Sequence, residues 1–436
     1  MNQELRTKKL AEIKAEPSHI KMTGLPIKFR GEVIPFDAYK IPLDYLVYNQ
    51  YNGRIGSDII SYENQFHTLN PENSADKRII EDFLWYSKEL RNKSTMEGII
   101  KEHQKVFGIV TSDGVIIDGN RRAMLLNRIW RDHAKYEKDG YDVDHAKYFI
   151  AVILPEGTDK QDILQLETEY QMGEEARLDY NPIEKYLKVK QLREAGFDIP
   201  KIAIMMNEKE HIIEEWVDIM LLMDDYLVYL GYDGIYTRLD EREGQLKDLA
   251  SYLRSYTKNR AHSMDWDVTK LDISDLRNIS FDYIRAIYEG KDFRLIGKPS
   301  NGKSFFGQKD IWDAFRDRHY QEVDNISETS PQEMRSQNPD RDLSQLLKER
   351  DGAWSKQVLG PFKNNLKTSE VELLMKEQAN EPMKLLEKAM KALESINPEA
   401  EAFYDPGVFS MLSEVNSLAY EYKKMIQRSK VVTHQD

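Results

Sequence analysis

The chain passes from an apolar strand into an amphipathic helix through the stretch Ile117-Asp118-Gly119-Asn120-Arg121-Arg122-Ala123-Met124-Leu125. Glycine predicts a tight turn between the two elements. The two arginines fall in the first helical turn, where unpaired backbone N–H groups and the helix dipole favour an anion. Guanidinium groups add planar, bidentate donors that suit phosphate. The stretch therefore predicts a phosphate site, against the alternative of a solvated arginine pair at a helix start.

Composition limits the classes of function. The chain has 436 residues, enough for two or three domains, with 62 basic and 75 acidic side chains and a net charge of −13. That charge argues against nonspecific coating of DNA, although it leaves room for a local basic site. The absence of cysteine excludes disulfides, thiolate zinc sites and thiol catalysis. No apolar run approaches the ~20 residues of a membrane helix, so we expect a cytoplasmic protein without a membrane partner.

The spacing of apolar residues predicts an α+β region followed by a mostly α-helical remainder. We expect four parts: a helical lead-in over 1–30, an α+β domain over 31–160, a helix-turn-helix-like domain over 161–232, and a helical C-terminal region over 233–436 with a polar linker near 324–342. The segment 369–428 is predicted to form two long helices, with breaks near 397 and at 405–407. Their leucine and methionine spacing favours packing against a protein partner or a second copy of the chain.

Within the α+β part, the elements alternate in type. Ser74 is placed to cap a predicted helix over 74–90, and residues 111–114 form a turn of the hairpin type between two predicted strands. The predicted strands cover 31–43, 106–110, 115–117 and 148–154, and the predicted helices cover 74–90 and 95–106. The arginine turn therefore lies at a strand-to-helix junction inside a mixed domain.

Further motifs follow the arginine turn in a fixed order. About 55 residues on comes the segment 174–185, which ends in Asn181-Pro182-Ile183-Glu184, and then a helix-turn-helix-like segment over 192–203. This succession resembles the ParB/sulfiredoxin superfamily, over residues ~35 to 230. The earlier loop Asn52-Gly53-Arg54-Ile55 is similar to another segment of that family. No single motif is decisive. The resemblance depends on the order in which the four motifs follow one another along the chain.

The resemblance implies a site for a nucleoside triphosphate with Mg²⁺. Gly119 and Arg122 match the family's phosphate box, Arg121 is an extra donor, and Arg177 matches the arginine of a second box. The resulting phosphate ligands are Gly119, Asn120, Arg121, Arg122, Arg177 and Arg54. The chain departs from the family where Gly173 and Glu174 replace a Glu-Asn pair, so the metal ligands are only partly present. Glu174 or Glu175 is the metal candidate, because carboxylates suit Mg²⁺; a solvated acidic helix end is the alternative.

Three functions remain open from the sequence. The leading one is a ParB-like nucleotide-binding protein, with NTP hydrolysis or phosphate transfer as its activity and DNA or protein as partner. The others are a ParB-like nuclease acting on DNA and a non-catalytic adaptor for protein partners. Sulfiredoxin chemistry is excluded because Asn120 and Arg121 occupy the family's cysteine and histidine positions. The second helix of the helix-turn-helix segment, 207–218, holds five carboxylates and one lysine, which disfavours DNA reading through it.

Overall fold

The computed structural model describes residues 1–50, 52–172, 181–257, 264, 266–286, 292–299 and 303–432. The chain forms two compact units, Met1–Lys367 and Thr368–Asp436. The predicted α+β class is confirmed, since the first unit combines a mixed sheet with many helices.

In the described part of the chain, six strands form one sheet. The strands are β1 Ile20–Phe29, β2 Glu32–Pro42, β3 Val47–Tyr48, β4 Gly108–Val110, β5 Val115–Asp118 and β6 Tyr148–Ile153. Their spatial order is β1-β2-β6-β4-β5-β3. The pairs β1–β2, β2–β6 and β4–β5 are antiparallel, whereas β4–β6 and β3–β5 are parallel. The predicted hairpin is therefore β4–β5, and the predicted strand at 148–154 is β6.

The strand β1 is not predicted by the sequence, which places residues 1–30 in a helical lead-in. Gly24, with φ of 67°, and Pro26 interrupt the alternation that would indicate a strand. Pairing with β2 is correspondingly irregular, with register shifts between Ile20 and Leu25. The lead-in thus holds a helix and then a strand, and β1 supplies one edge of the sheet.

Helices of the first unit cover both faces of the sheet. They are α1 Gln3–Ala15, α2 Gly56–Gln65, α3 Ser74–Tyr86, α4 Glu89–Glu102, α5 Asn120–Arg131, α6 His133–Lys138 and α7 Lys160–Met172. Side chains alternate between faces along each strand. Val110 and Ile116 therefore join a core with α1 to α5, whereas Ile109 and Ile117 join a separate core with Leu166 of α7.

Three helix starts differ from the sequence prediction. The cap of α3 is Asn73 rather than Ser74, because the Asn73 side chain accepts from the backbone N–H groups of Ala75 and Asp76. The helix α4 begins at Glu89 instead of Thr95. The helix α2 is not predicted, and it has no side-chain cap from its own N-terminal residue. Its cap comes from a distant part of the chain.

The remaining helices follow the predicted pattern. Asn181 caps α8, and Asn207 and Gly231 end α9 and α10 in left-handed conformations. The helices are α8 Pro182–Glu194, α9 Ile199–Met206, α10 Glu210–Leu230, α11 Glu243–Thr257, α12 Lys270–Arg285, α13 Asp292–Gly297, α14 Lys309–Val323, α15 Pro331–Gln337, α16 Leu343–Glu394 and α17 Pro406–Val432. The break between α16 and α17 confirms the predicted division of the tail. The expected linker at 324–342 contains α15. Among the helices described, none combines the length and apolar character needed to cross a bilayer.

Candidate functional site

The turn at Gly119 lines a cleft that collects four arginines. Arg54, Arg91, Arg121 and Arg122 come from three separate parts of the chain, and the cleft has a volume of about 190 Å³. Asn52, Thr95, Asp118 and Gln171 line it as well. Four guanidinium groups in one cleft reverse the local sign of charge in a protein whose net charge is −13. The structure thus brings together three predicted arginines and one, Arg91, that the sequence did not indicate.

Glycine is required at position 119. Its φ of 101° lies in the left-handed region, and an added Cβ would lie 2.6 Å from Cζ of Phe149. The residue is also the N-cap of α5, so no side chain caps the first turn of that helix. Gly119 and the first residues of α5, Asn120 to Arg122, line the arginine cleft. The prediction that the N–H groups of this turn bind an anion stays a prediction.

Asn120 organises the turn through its buried side chain. Its Oδ1 accepts from the backbone N–H of Asn49, at 2.9 Å, and its Nδ2 donates to the carbonyl of Ile116, at 3.0 Å. These bonds join the end of β3, the strand β5 and the start of α5. The side chain of Asn120 is thus a positioning group, and the prediction that Asn120 binds phosphate depends on its backbone N–H.

Arg122 is held against the segment that precedes β4. Its Nη1 donates to the carbonyls of Val106 and Phe107, both at 2.6 Å, and its Nη2 lies 2.8 Å from the Asp118 carboxylate. Replacing Arg122 by alanine would remove these internal bonds together with any ligand contact. A variant at Arg122 therefore needs a check that the fold is retained before a loss of ligand binding is assigned to the cleft.

Arg121 is oriented by a buried amide. Its Nε donates to Oδ1 of Asn92 at 3.0 Å, and Nδ2 of Asn92 donates to the carbonyls of Leu84 and Trp85 at the end of α3. Asn92 is fully buried, so its orientation is fixed by these partners. Arg91 precedes Asn92 on α4. Residues 91–93 fall between the two predicted helices, 74–90 and 95–106, so the sequence gives no sign that Arg91 and Asn92 share a helix beside the arginine turn.

The loop that carries Arg54 is held in place by hydrogen bonds of its residues Asn49 and Asn52. Asn49 Nδ2 donates to Glu167 of α7 at 3.2 Å, and Glu167 pairs with Lys188 of α8 at 2.8 Å, both side chains being almost fully buried. Burial raises the pKa of Glu167, and the Lys188 charge opposes that rise. Asn52 Oδ1 accepts the backbone N–H of Arg54 at 3.0 Å. The loop is therefore held by a bond to α7, whose Glu167 is in turn held by Lys188 of α8, and the backbone of Arg54 is held by a bond within its own turn.

Arg54 also lines a second, adjoining cleft of about 220 Å³ that is rich in carboxylates. Glu184 lies there and caps the distant helix α2. Its two carboxylate oxygens accept from the backbone N–H groups of Gly56 and Ser57, each at 3.1 Å, and from the Ser57 hydroxyl. In the segment Asn181-Pro182-Ile183-Glu184, Asn181 thus caps its own helix, whereas Glu184 caps another.

Burial raises the pKa values of two carboxyl groups of this second cleft, Glu184 and Asp58, toward neutral pH. Burial, with a contribution from the charge of Asp58, raises the pKa of Glu184 to about 7 despite its hydrogen-bond donors. Burial and the charge of Asp240 raise the pKa of Asp58 to about 6. Asp58 and Asp240 line the same cleft as Arg54. The arrangement places groups that exchange protons near pH 7 beside the arginines.

Replacing Glu184 by glutamine is expected to flatten the dependence of stability on pH. The pKa of Glu184 is raised in the folded state, so the folded chain binds this proton more tightly than the unfolded chain. The contribution of Glu184 to the free energy of unfolding is largest below pH ~4.5 and is lost as the pH rises to about 7. The change is on the order of 3 kcal/mol. Urea unfolding at pH 5 and pH 8 measures it. Glu194→Gln, at the exposed end of the same helix, is the control; equal pH dependence in both variants contradicts the assignment.

Three of the predicted site residues lie outside the described part of the chain. These are Arg177 and the metal candidates Glu174 and Glu175, all within 173–180. Among the residues that are described, no group of three His, Cys, Asp or Glu side chains is arranged to hold a metal ion. The Mg²⁺ ligands therefore remain a prediction from the sequence.

Among the cleft residues that the sequence did not indicate, Asp58 lies at the start of α2, only four residues from Arg54. Lys88 and Asp240 approach Arg54 because the α3–α4 turn and the segment before α11 meet it in the fold. Comparison of the chain with protein-family models, curated proteins and solved structures finds no match in any of the three.

Proposed function

We propose that this chain is a ParB-like nucleotide-binding protein whose arginine cleft holds the phosphates of a nucleoside triphosphate. The observation that carries the proposal is the convergence of Arg54, Arg91, Arg121 and Arg122 at the N-terminus of α5. Guanidinium groups and helix N-termini are both preferred ligands of phosphate. In a chain with a net charge of −13, such a concentration of positive charge favours a specific anion over a general electrostatic attraction.

The adjoining cleft favours a nucleotide over a free phosphate. Each cleft is smaller than the roughly 300–1,000 Å³ of most small-molecule sites, and the two share Arg54. A ligand of nucleotide size would occupy both. Asp58 and Asp240 would then accept hydrogen bonds from sugar hydroxyls or base amino groups, while the arginines hold the phosphates.

The proposal includes Mg²⁺ and leaves two kinds of turnover, NTP hydrolysis and phosphate transfer to an acceptor. Glu174 and Glu175 are the proposed metal ligands. A divalent ion bound with the triphosphate would neutralise charge that develops during phosphoryl transfer.

Isothermal titration calorimetry with ATP, CTP and GTP, each with and without Mg²⁺, tests the proposal. At least one nucleotide is expected to give a saturable heat. Arg91→Ala should weaken binding by about 10- to 100-fold, the value of one charged hydrogen-bonding group. Lys93→Ala, two residues away on an exposed part of α4 and paired with Glu89, should leave the affinity unchanged. Absence of heat with all three nucleotides would contradict the proposal.

The nuclease alternative places a DNA backbone phosphate at Arg54, Arg121 and Arg122. The exposed side of α10 carries the carboxylates of Glu210 and Glu214, which would repel a polymer of phosphates approaching that helix. Metal-dependent cleavage of plasmid DNA that is lost in the Arg121→Ala/Arg122→Ala variant would support a nuclease. A stable complex with a protein partner, without turnover and without nucleotide binding, would instead support the adaptor.

A further inference from the structure

A pocket separate from the two arginine-lined clefts lies between the hairpin β4–β5 and the helices α7 and α8. Its volume is about 620 Å³, which is about three times that of either cleft. Most small-molecule sites have volumes of roughly 300–1,000 Å³. The pocket is therefore large enough to hold a small molecule by itself, without a contribution from the arginine clefts.

The walls of the pocket are apolar. Val115 and Ile117 of β5 line one part of it, and Ile163 and Leu164 of α7 line another. Ile117 and Ile163 pack in the core between the sheet and α7, whereas Leu164 belongs to the core formed with α8, α9 and α10. The pocket thus lies where two separately packed parts of the first unit meet. Ligand pockets with mostly apolar walls are common at such junctions.

A fixed group of polar side chains interrupts the apolar walls. Glu167, Asn49 and Gln191 line the pocket, and the buried Lys188 connects two of them. The Lys188 ammonium donates to Glu167 Oε2 at 2.8 Å and to Gln191 Oε1 at 3.1 Å, while Asn49 Nδ2 donates to Glu167 Oε1 at 3.2 Å. These bonds hold one carboxylate and two amides in fixed orientations. A few oriented polar groups among apolar walls are what position a small ligand.

The charges around the pocket balance. Lys188 neutralises Glu167, since both side chains are almost fully buried and their charged groups are in contact. The other charged residues that line the pocket are one carboxylate, Asp113, and one ammonium, Lys160. The Asp113 carboxylate already accepts from Gln3 Nε2 at 2.8 Å and from the Thr111 hydroxyl. An ionised ligand would lose hydration in this pocket without meeting an excess of opposite charge, so the lining favours a neutral ligand.

We propose that this pocket binds a neutral small molecule with an apolar body and a hydrogen-bonding end, such as an aromatic amine, amide or alcohol. The body would lie against Val115, Ile117 and Ile163. The hydrogen-bonding end would face the carboxylate of Glu167 and the neighbouring amides. The proposal does not depend on the nucleotide site, and each can fail without the other.

Fluorescence titration of the full chain with N-phenylnaphthylamine tests the proposal. This probe is neutral, has an apolar body with one N–H donor, and fluoresces more strongly in apolar surroundings. A saturable increase with one probe per chain is expected. Anilinonaphthalene sulfonate has the same body with an added negative charge, and it is expected to bind about tenfold more weakly or worse. No saturable increase with the neutral probe, or equal affinity for the two probes, overturns the proposal.

Substitutions that fill the pocket show where the neutral probe binds. Ala195→Phe, from the α8 side, and Val115→Phe, from the sheet, each place a ring in the pocket and are expected to weaken binding by about tenfold or more. Ala134→Phe, at an exposed position of α6 outside the lining, is the matched control and is expected to bind like the wild type. Circular dichroism checks that each variant is folded. A folded pocket variant that binds the probe as tightly as Ala134→Phe overturns the proposal.

Discussion

A chain in which Arg91 and Arg121 are both replaced by alanine is expected to bind nucleoside triphosphate roughly 100- to 10,000-fold more weakly than the wild type. Each guanidinium would contribute a charged hydrogen bond to phosphate, typically worth about 1.5–3 kcal/mol. Every 1.4 kcal/mol corresponds to a factor of about ten in affinity. Arg91 and Arg121 lie on different helices, α4 and α5, but line one cleft. Titration calorimetry with the nucleotide that binds the wild type best measures the loss.

A matched variant separates this effect from a general loss of positive charge. Lys93→Ala/Arg128→Ala removes two cations from the same two helices outside the cleft. Lys93 pairs with Glu89, and Arg128 pairs with the exposed Asp82. The control is expected to bind within about threefold of the wild type, since neither Lys93 nor Arg128 lines the cleft. An equal loss of affinity in both double variants would mean that the cleft does not hold the phosphates.

Replacing Asp351 by alanine is expected to lower the free energy of unfolding by about 3–5 kcal/mol. Asp351 lies in the helical part of the first unit and is 4% exposed. Its carboxylate accepts from the Tyr232 hydroxyl at 2.6 Å and from Arg285 Nε at 2.9 Å, and it also pairs with Arg238. Removing one member of such a buried network leaves the others desolvated and unpaired. Chemical denaturation followed by circular dichroism measures the change.

Glu349→Ala is the control for Asp351→Ala, because it removes a carboxylate from the same helix at a half-exposed position paired with Arg341. Its expected cost is about 1 kcal/mol or less. Burial opposes ionisation of Asp351, but the charges of Arg285 and Arg238 hold its pKa below the usual range. Its contribution is therefore fully present above the unfolded-state pKa of about 4 and is lost as the pH falls below that value. A cost for Asp351→Ala no larger than that of the control would contradict the structural role.

The elements with strong local signals could be predicted from the sequence. The hairpin β4–β5, the helix α5 and the break between α16 and α17 each follow from apolar period and from glycine or proline. The arginine turn belongs to this group, because strand, glycine and arginines are contiguous. The strand β1 does not, since Gly24 and Pro26 interrupt its alternation.

The rest of the site depends on contacts between residues far apart in the chain. Glu184 caps a helix that begins 128 residues earlier, so neither the helix α2 nor the role of Glu184 has a local signal. Arg91 belongs to a charged helical run whose buried member, Asn92, cannot be distinguished from its solvated neighbours by spacing alone. The sequence therefore predicts where an anion binds, and the fold adds the neighbours that would select it.

Phosphorus NMR of inorganic tripolyphosphate tests the central claim most directly, because this ligand has phosphates and no nucleoside. The wild type is expected to broaden or shift the tripolyphosphate resonances in a saturable manner, and the Arg91→Ala/Arg121→Ala variant is expected to leave them unchanged. Unperturbed resonances with the wild type, or the same perturbation with both proteins, would contradict the assignment of the arginine cleft as a phosphate site.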